Sequence, residues 1–314
     1  MTLILGIHVN GHAIQVSDRL VSLNGEPPSK WDTLANKTVV CFVRRGVVSI
    51  SYTGRAYIEG IPTDQWIAER LSGKKLRTRG SAFGNRICLP FDVGQAIEYL
   101  RTGAELSYQQ LSERAQKFPL EMHIIGSQWD RKHGRIRPVV AKVTNRRTCG
   151  ANFETLRIPR WVPTPGSSWD LVAGVGTEEA RAFMNQSFHS MGGMISPGNC
   201  MNVMVNAIRH VSKSLPNTVG PNCMAVHIRG RSVRVIYLPF EKHFVENPMT
   251  RTPVGPISFT PFVISPNMAA RPSVSLNNMF MRSFDVDISF EGWPNQSINE
   301  MPALQFDQSR KLEP

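Results

Sequence analysis

The sequence predicts an α+β fold: two antiparallel sheets with helices packed outside them. Three observations lead there. Apolar strands recur in pairs around tight turns. Helical periodicity is confined to two blocks that lie between those pairs. The resulting order is strands, helices, strands, helices, strands, so each sheet has helices available to cover one face.

The first pair sets the pattern. Thr2 to Val9 and His12 to Asp18 read as two strands joined at Asn10-Gly11, the strongest two-residue hairpin signal because both positions tolerate positive φ. After a polar loop broken by Pro27-Pro28, Asn36-Lys37 leads into Thr38 to Val43. Arg44-Arg45-Gly46 turns the chain into Val47 to Tyr52, which ends at Thr53-Gly54. Pro62-Thr63-Asp64 starts a helix with Thr63 as its expected N-cap, running to about Leu71. Residues 74–90 are a basic, glycine-containing loop. Helical signal returns from Asp92 to Lys117 with an expected weak point at Thr102-Gly103, and Pro119 ends it.

Met122 to Gly126 then pairs with Ile136 to Val143 across a basic turn tipped by Gly134. Residues 145–168 read as irregular. Trp169 to Gly176 is a strand, and Thr177-Glu178-Glu179 opens a helix with a capping residue and two acids in its first turn. Residues 198–215 form a further helix stopped by Pro216. Cys223 to Ile228 and Ser232 to Leu238 make the last hairpin. Beyond residue 240 prolines become frequent and helical periodicity vanishes. Phe284 to Phe290 alternates as a half-buried strand does. We therefore divide the chain into a domain of residues 1–240 and an extension of residues 241–314. The extension is expected to clamp the core or a neighbouring subunit.

The 314 residues carry 41% hydrophobic content and a net charge of +12. No run approaches the roughly 18 apolar residues of a membrane span, and no signal peptide is legible. The five cysteines are scattered and odd in number, as suits reduced thiols in a cytoplasmic protein. The charge alone permits nucleic-acid binding, but no aromatic-basic interleaving accompanies it, so nucleic acid is not an expected partner. His8, His12, His123 and His227 show no ligand-like spacing, so structural histidines are expected rather than metal ligands.

Read singly, Thr2 is an ordinary strand residue, Asp18 caps a turn, Lys37 guards a strand edge and Gly54 serves a turn. Read together at their spacing, the residues Thr2, Ser17-Asp18-Arg19, Asn36-Lys37, Thr53-Gly54 and Gly174-Val175-Gly176 resemble the N-terminal-nucleophile hydrolases. Within these they resemble the proteasome β-subunits and their bacterial peptidase relatives. The resemblance covers about residues 2–240. It implies a four-layer αββα sandwich and a threonine protease activity that needs neither cofactor nor metal.

It also implies roles. Thr2, exposed by removal of Met1, resembles the nucleophile. Lys37 resembles the lysine that lowers the pKa of its hydroxyl. Asp18 resembles the carboxylate that holds that lysine, and the Gly54 N–H the oxyanion donor. The resemblance further implies peptide or unfolded-protein substrates, a homo-oligomeric ring or spiral, and an ATP-dependent unfoldase as partner. Two departures stand against it. Val175 replaces an expected serine, and the segment Lys213 to Thr218 lacks an expected aspartate. These favour the alternative of a catalytically inactive structural or binding subunit. A small-molecule amidase on the same fold is a third reading.

Overall fold

The computed structural model describes residues 2–23, 29–32, 35, 37–72, 91–157, 171–191, 196–230, 232–238 and 240. It also describes the short strand segments 245–246, 253–254, 262–263, 269–270 and 286–290. Strands β1 (Leu3–Val9) and β2 (His12–Asp18) form the first hairpin. Its turn residues Asn10 and Gly11 both sit at positive φ, 49° and 78°, as a type I′ turn requires. A small ribbon of β3 (Val21–Leu23) and β4 (Ser29–Asp32) follows. The second hairpin is β5 (Thr38–Val43) with β6 (Gly46–Gly54). The two-residue strands β7 (Tyr57–Ile58) and β8 (Ile61–Pro62) lead into helix α1 (Thr63–Ser72). Thr63 is not a cap in front of α1. It is the first helical residue, and its hydroxyl donates to the Arg55 carbonyl at 2.8 Å.

Helix α2 (Val93–Gln109) starts with a capping box between Asp92 and Gln95. It runs unbroken through Thr102-Gly103, in place of the expected weak point. Gly103 faces α1, and a Cβ there would strike the Arg70 side chain; the glycine serves close helix packing. The break falls instead at Gln110 to Ser112, and Ser112 caps the short helix α3 (Glu113–Gln116).

The long strands β9 (Leu120–Asp130) and β10 (Arg135–Thr144) come next. The stretch expected to be irregular contains β11 (Glu154–Arg157), which extends this ladder. Strand β12 (Leu171–Gly174) precedes α4 (Thr177–Ser190). Gly176, at φ 74°, takes the N-cap position of α4, so Thr177 does not cap it. Helix α5 (Pro197–Ser214) has Ser196 as its N-cap and proline in its first turn, a favoured arrangement. Strands β13 (Cys223–Arg229) and β14 (Ser232–Leu238) close the hairpin series. The segments β15 (Val245–Glu246), β16 (Pro253–Val254), β17 (Phe262–Val263), β18 (Ala269–Ala270) and β19 (Val286–Phe290) complete the described strands. Most of residues 241–314, including Phe259, Phe280, Phe284 and Trp293, lies outside the described residues.

Two larger sheets result, in the orders β12-β1-β2-β13-β14-β19 and β11-β10-β9-β6-β5-β17-β18. Their ladders are antiparallel except at β14–β19 and β5–β17, which are parallel. Both parallel joints are made by strands beyond residue 240, and the ladders of the two sheets within residues 1–240 are antiparallel, as expected. Both exceptions join strands far apart in sequence, so no hairpin dictates their direction.

Alternation along each strand separates two environments. Leu3, Leu5, Ile14, Val16 and Ala225 pack with Ala180 of α4 and Ile208 of α5. Val39, Ile50 and Met122 pack with Ile67 of α1 and Leu100 and Tyr108 of α2. The opposite strand faces meet through buried polar groups and a small apolar contact of Ile4 and Ala173 with Val140. Ser17 Oγ lies 3.1 Å from Thr38 Oγ1, which lies 2.7 Å from Ser51 Oγ. Gln15 accepts from Ser49 Oγ at 2.5 Å and donates to the His123 carbonyl at 3.1 Å. Among the described residues, no helix is long and apolar enough to cross a membrane.

Candidate active site

The residues singled out in the sequence sit at strand ends. Asp18 closes β2 opposite the start of β1, because Ile4 pairs with Ser17. Its Oδ1 accepts from the Leu3 N–H at 2.8 Å, and its Oδ2 from the N–H groups of Leu20 at 3.0 Å and Gly220 at 3.1 Å. The Lys37 ammonium completes the shell at 3.3 Å and also donates to the Leu20 carbonyl. Both side chains are buried, at 0% and 2% exposure. An ion pair survives such burial only when hydrogen bonds satisfy the remaining lone pairs and protons. Here three backbone N–H groups and a carbonyl do so.

Thr2 is buried beside this pair. Its carbonyl accepts from the Val175 N–H at 3.2 Å and from Thr53 Oγ1 at 3.3 Å. Gly174 lies against the same carbonyl at φ 104°, and a Cβ there would run into it. Only glycine lets the end of β12 approach the N-terminal strand this closely. Gly54, at φ 96°, has a comparable constraint, since its Cβ would meet the Pro119 carbonyl. The constraint on this glycine is thus the chain's own backbone, independent of any approach by substrate.

Thr2, Lys37 and Gly54 line one cavity of about 680 Å³, together with Thr53, Gly174 and Val175. Asp18 is held behind Lys37. Val175, where the resemblance calls for serine, contributes its backbone N–H. The Lys213 to Thr218 segment brings no carboxylate, and Ser214 is occupied with Glu179 of α4 at 2.8 Å. The Gly220 N–H on Asp18 is what this part of the chain supplies.

A second charged group on the cavity wall escapes sequence reasoning. Glu121 and Arg146 both line it. The buried Glu121 carboxylate contacts Lys142 Nζ and accepts from Arg146 at 2.8 Å. Burial pushes its pKa up, but the hydrogen bond and charge of Lys142, with His123 and Arg146, outweigh this and hold it below the ordinary carboxylate range. His123, 3.7 Å away, is driven down to about 4 by burial, against the pull of Glu121. Polar Glu121 and His123 alternate with apolar Leu120, Met122 and Ile124, a pattern that marks them as the face turned away from the helices.

On β1, burial lowers His8 to about 4. Farther along the sheet, His12 Nδ1 and His227 Nε2 share a hydrogen bond of 2.7 Å. Among the described residues, no group of three metal-ligating side chains forms a metal site.

The cavity thus brings a threonine and a buried ammonium onto one wall. No family model matches the chain, and no curated protein matches it. Among solved structures, the chain is similar to a mutant of Anbu from Hyphomicrobium sp. strain MC1. The identity is 12% and the TM-score 0.48, over 76% of this chain and 87% of that one.

Proposed function

We propose that this protein is an amide-bond hydrolase whose nucleophile is Thr2, freed by removal of Met1. The supporting observation is the buried Asp18–Lys37 ion pair, whose lysine lines the same cavity as Thr2. In this reading the Thr2 α-amine accepts the hydroxyl proton and Oγ attacks the carbonyl carbon. The Lys37 charge favours the ionised hydroxyl, Asp18 keeps that charge in place, and the Gly54 N–H receives the developing oxyanion. The leaving amine takes the proton, and water then releases the acyl group. The architecture proposed with it is four-layered, helices outside and sheets inside. Peptides or unfolded segments are the proposed substrates. A homo-oligomer served by an unfoldase is the proposed assembly.

Intact mass of the purified protein and labelling with a peptide boronate test this reading. Labelling is expected at Thr2 alone, and Thr2→Ala is expected to abolish labelling and hydrolysis with its melting temperature unchanged. Unchanged activity in that variant refutes the reading. The second reading, a silent structural subunit, draws on Val175 and on the carboxylate-free Lys213 to Thr218 segment. It predicts that the wild-type protein, Met1 removed, takes no label at all.

A further inference from the structure

The turns of β1–β2, β5–β6, β9–β10 and β13–β14 lie together at the end of the sheets opposite Thr2. Trp129 N–H donates to the Arg45 carbonyl at 2.6 Å, and Ser127 Oγ to the Gly230 carbonyl at 2.6 Å. Arg229 pairs in register with His12. The seven residues of β2 put this end about 20 Å from Asp18, at about 3.3 Å per residue. The described residues of the stretches meeting here, 8–13, 43–47, 127–137, 227–230 and 232–234, hold eight Arg and Lys residues and one acid, Asp130. That is a net of +7 against the chain's +12. Arg44, Arg131, Lys132, Arg135, Arg229 and Arg234 are exposed. Among these charges stand Trp129 and Ile136, paired across the β9–β10 ladder and each 46% exposed.

We infer that this end is a binding surface for single-stranded nucleic acid. Dispersed in sequence, the charges are an unremarkable solvated set. Gathered by four turns, they form a phosphate-binding face around a flat aromatic ring. Seven of the eight cations are arginine, whose fork pairs phosphate oxygens bidentately. The indole offers a base a stacking partner. An acidic protein would use the charge but would gain little from the tryptophan, so nucleic acid is the better fit.

The full-length protein is titrated into a labelled oligothymidylate of about 20 nucleotides, longer than the roughly 4–16 nucleotides such surfaces cover. Salt is varied between about 50 and 200 mM. Binding is expected, with log K falling linearly in log salt. The variant Arg131→Ser/Lys132→Ser/Arg135→Ser should flatten that slope by about 2, at about 0.7 for each phosphate that is no longer neutralised. Trp129→Ala should weaken binding about tenfold and leave the slope unchanged. Circular dichroism checks that both variants are folded. No binding at the lowest salt, or a slope untouched in the triple variant, overturns the inference. So does preference for duplex with no effect of Trp129→Ala. Displacement by polyglutamate at matched charge overturns it in favour of an acidic protein partner.

Discussion

Asp18→Asn isolates the buried ion pair. In the native chain two carboxylate oxygens accept three backbone N–H groups and one ammonium. Asparagine offers one acceptor oxygen and one donor group in the same space. Its better orientation keeps the oxygen on Leu20 and Gly220 and turns the amide towards Leu3, stranding one buried N–H at about 1–3 kcal/mol. The larger cost is Lys37, left as a buried charge without its partner, at about 3–5 kcal/mol. Loss of the lysine proton caps the sum, so the expected destabilisation is about 4–6 kcal/mol. That is a large share of a domain stability of about 5–15 kcal/mol. With a urea slope of about 2–3 kcal/mol/M, the midpoint falls by about 2 M. The double variant Asp18→Asn/Lys37→Met removes the stranded charge and should recover about half of the loss. Urea unfolding followed by tryptophan fluorescence reads all three proteins. If Asp18→Asn costs less than about 1 kcal/mol, or the double variant is no more stable than the single, the pair does not carry the buried charges argued here. The sequence alone marks Asp18→Asn as milder for activity than Lys37→Ala. The three backbone donors make it severe for stability, so activities are compared well below its melting temperature.

Gly174→Ala places a Cβ against the Thr2 carbonyl and holds a non-glycine residue at φ 104°, a strain of about 1–3 kcal/mol before any clash. A melting temperature lowered by at least about 4–8 °C is expected for a loss near 2 kcal/mol; a scanning calorimetry shift below about 2 °C refutes the close approach. For pH, His8 and His123 hold folded pKa values of about 4 against 6.5. The folded value is the lower, so as pH falls protons bind the unfolded chain first. Stability is therefore full above about pH 6.5 and declines towards pH 4, by up to about 3 kcal/mol for each histidine. Urea midpoints measured across that window should fall with pH, and His123→Gln should flatten the fall. A flat wild-type profile contradicts the buried neutral histidines.

Local signals make much of the fold legible. Asn10-Gly11 needs only its own φ preferences to form a turn, and apolar alternation marks the strands it joins. Contacts between sheets are not encoded locally. Nothing near Asp18 in sequence says that Lys37 will lie 3.3 Å from it; family resemblance, not periodicity, raises that pair. Glu121 stays hidden for the same reason, since its partners Lys142 and Arg146 arrive from the next strand and the turn after it. Helix starts fail differently. Thr63 and Thr177 are good capping residues by type. At Thr63 a tertiary acceptor, the Arg55 carbonyl, takes the hydroxyl. At Thr177 a left-handed glycine holds the preceding position.

The polar seam between the sheets bears on how tightly the candidate site is held. Thr2 and Asp18 ride on one sheet, Lys37 and Gly54 on the other. An oily contact between the sheets would resist separation but tolerate sliding, since dispersion has little directional preference. Hydrogen bonds through Ser17, Thr38, Gln15, Ser49 and the His123 carbonyl behave otherwise. A slip of one sheet past the other by one residue, about 3.3 Å, would break them together and draw Lys37 away from Asp18. The seam acts as a key in a slot: it trades some burial energy for alignment and leaves the two halves of the site a single permitted setting.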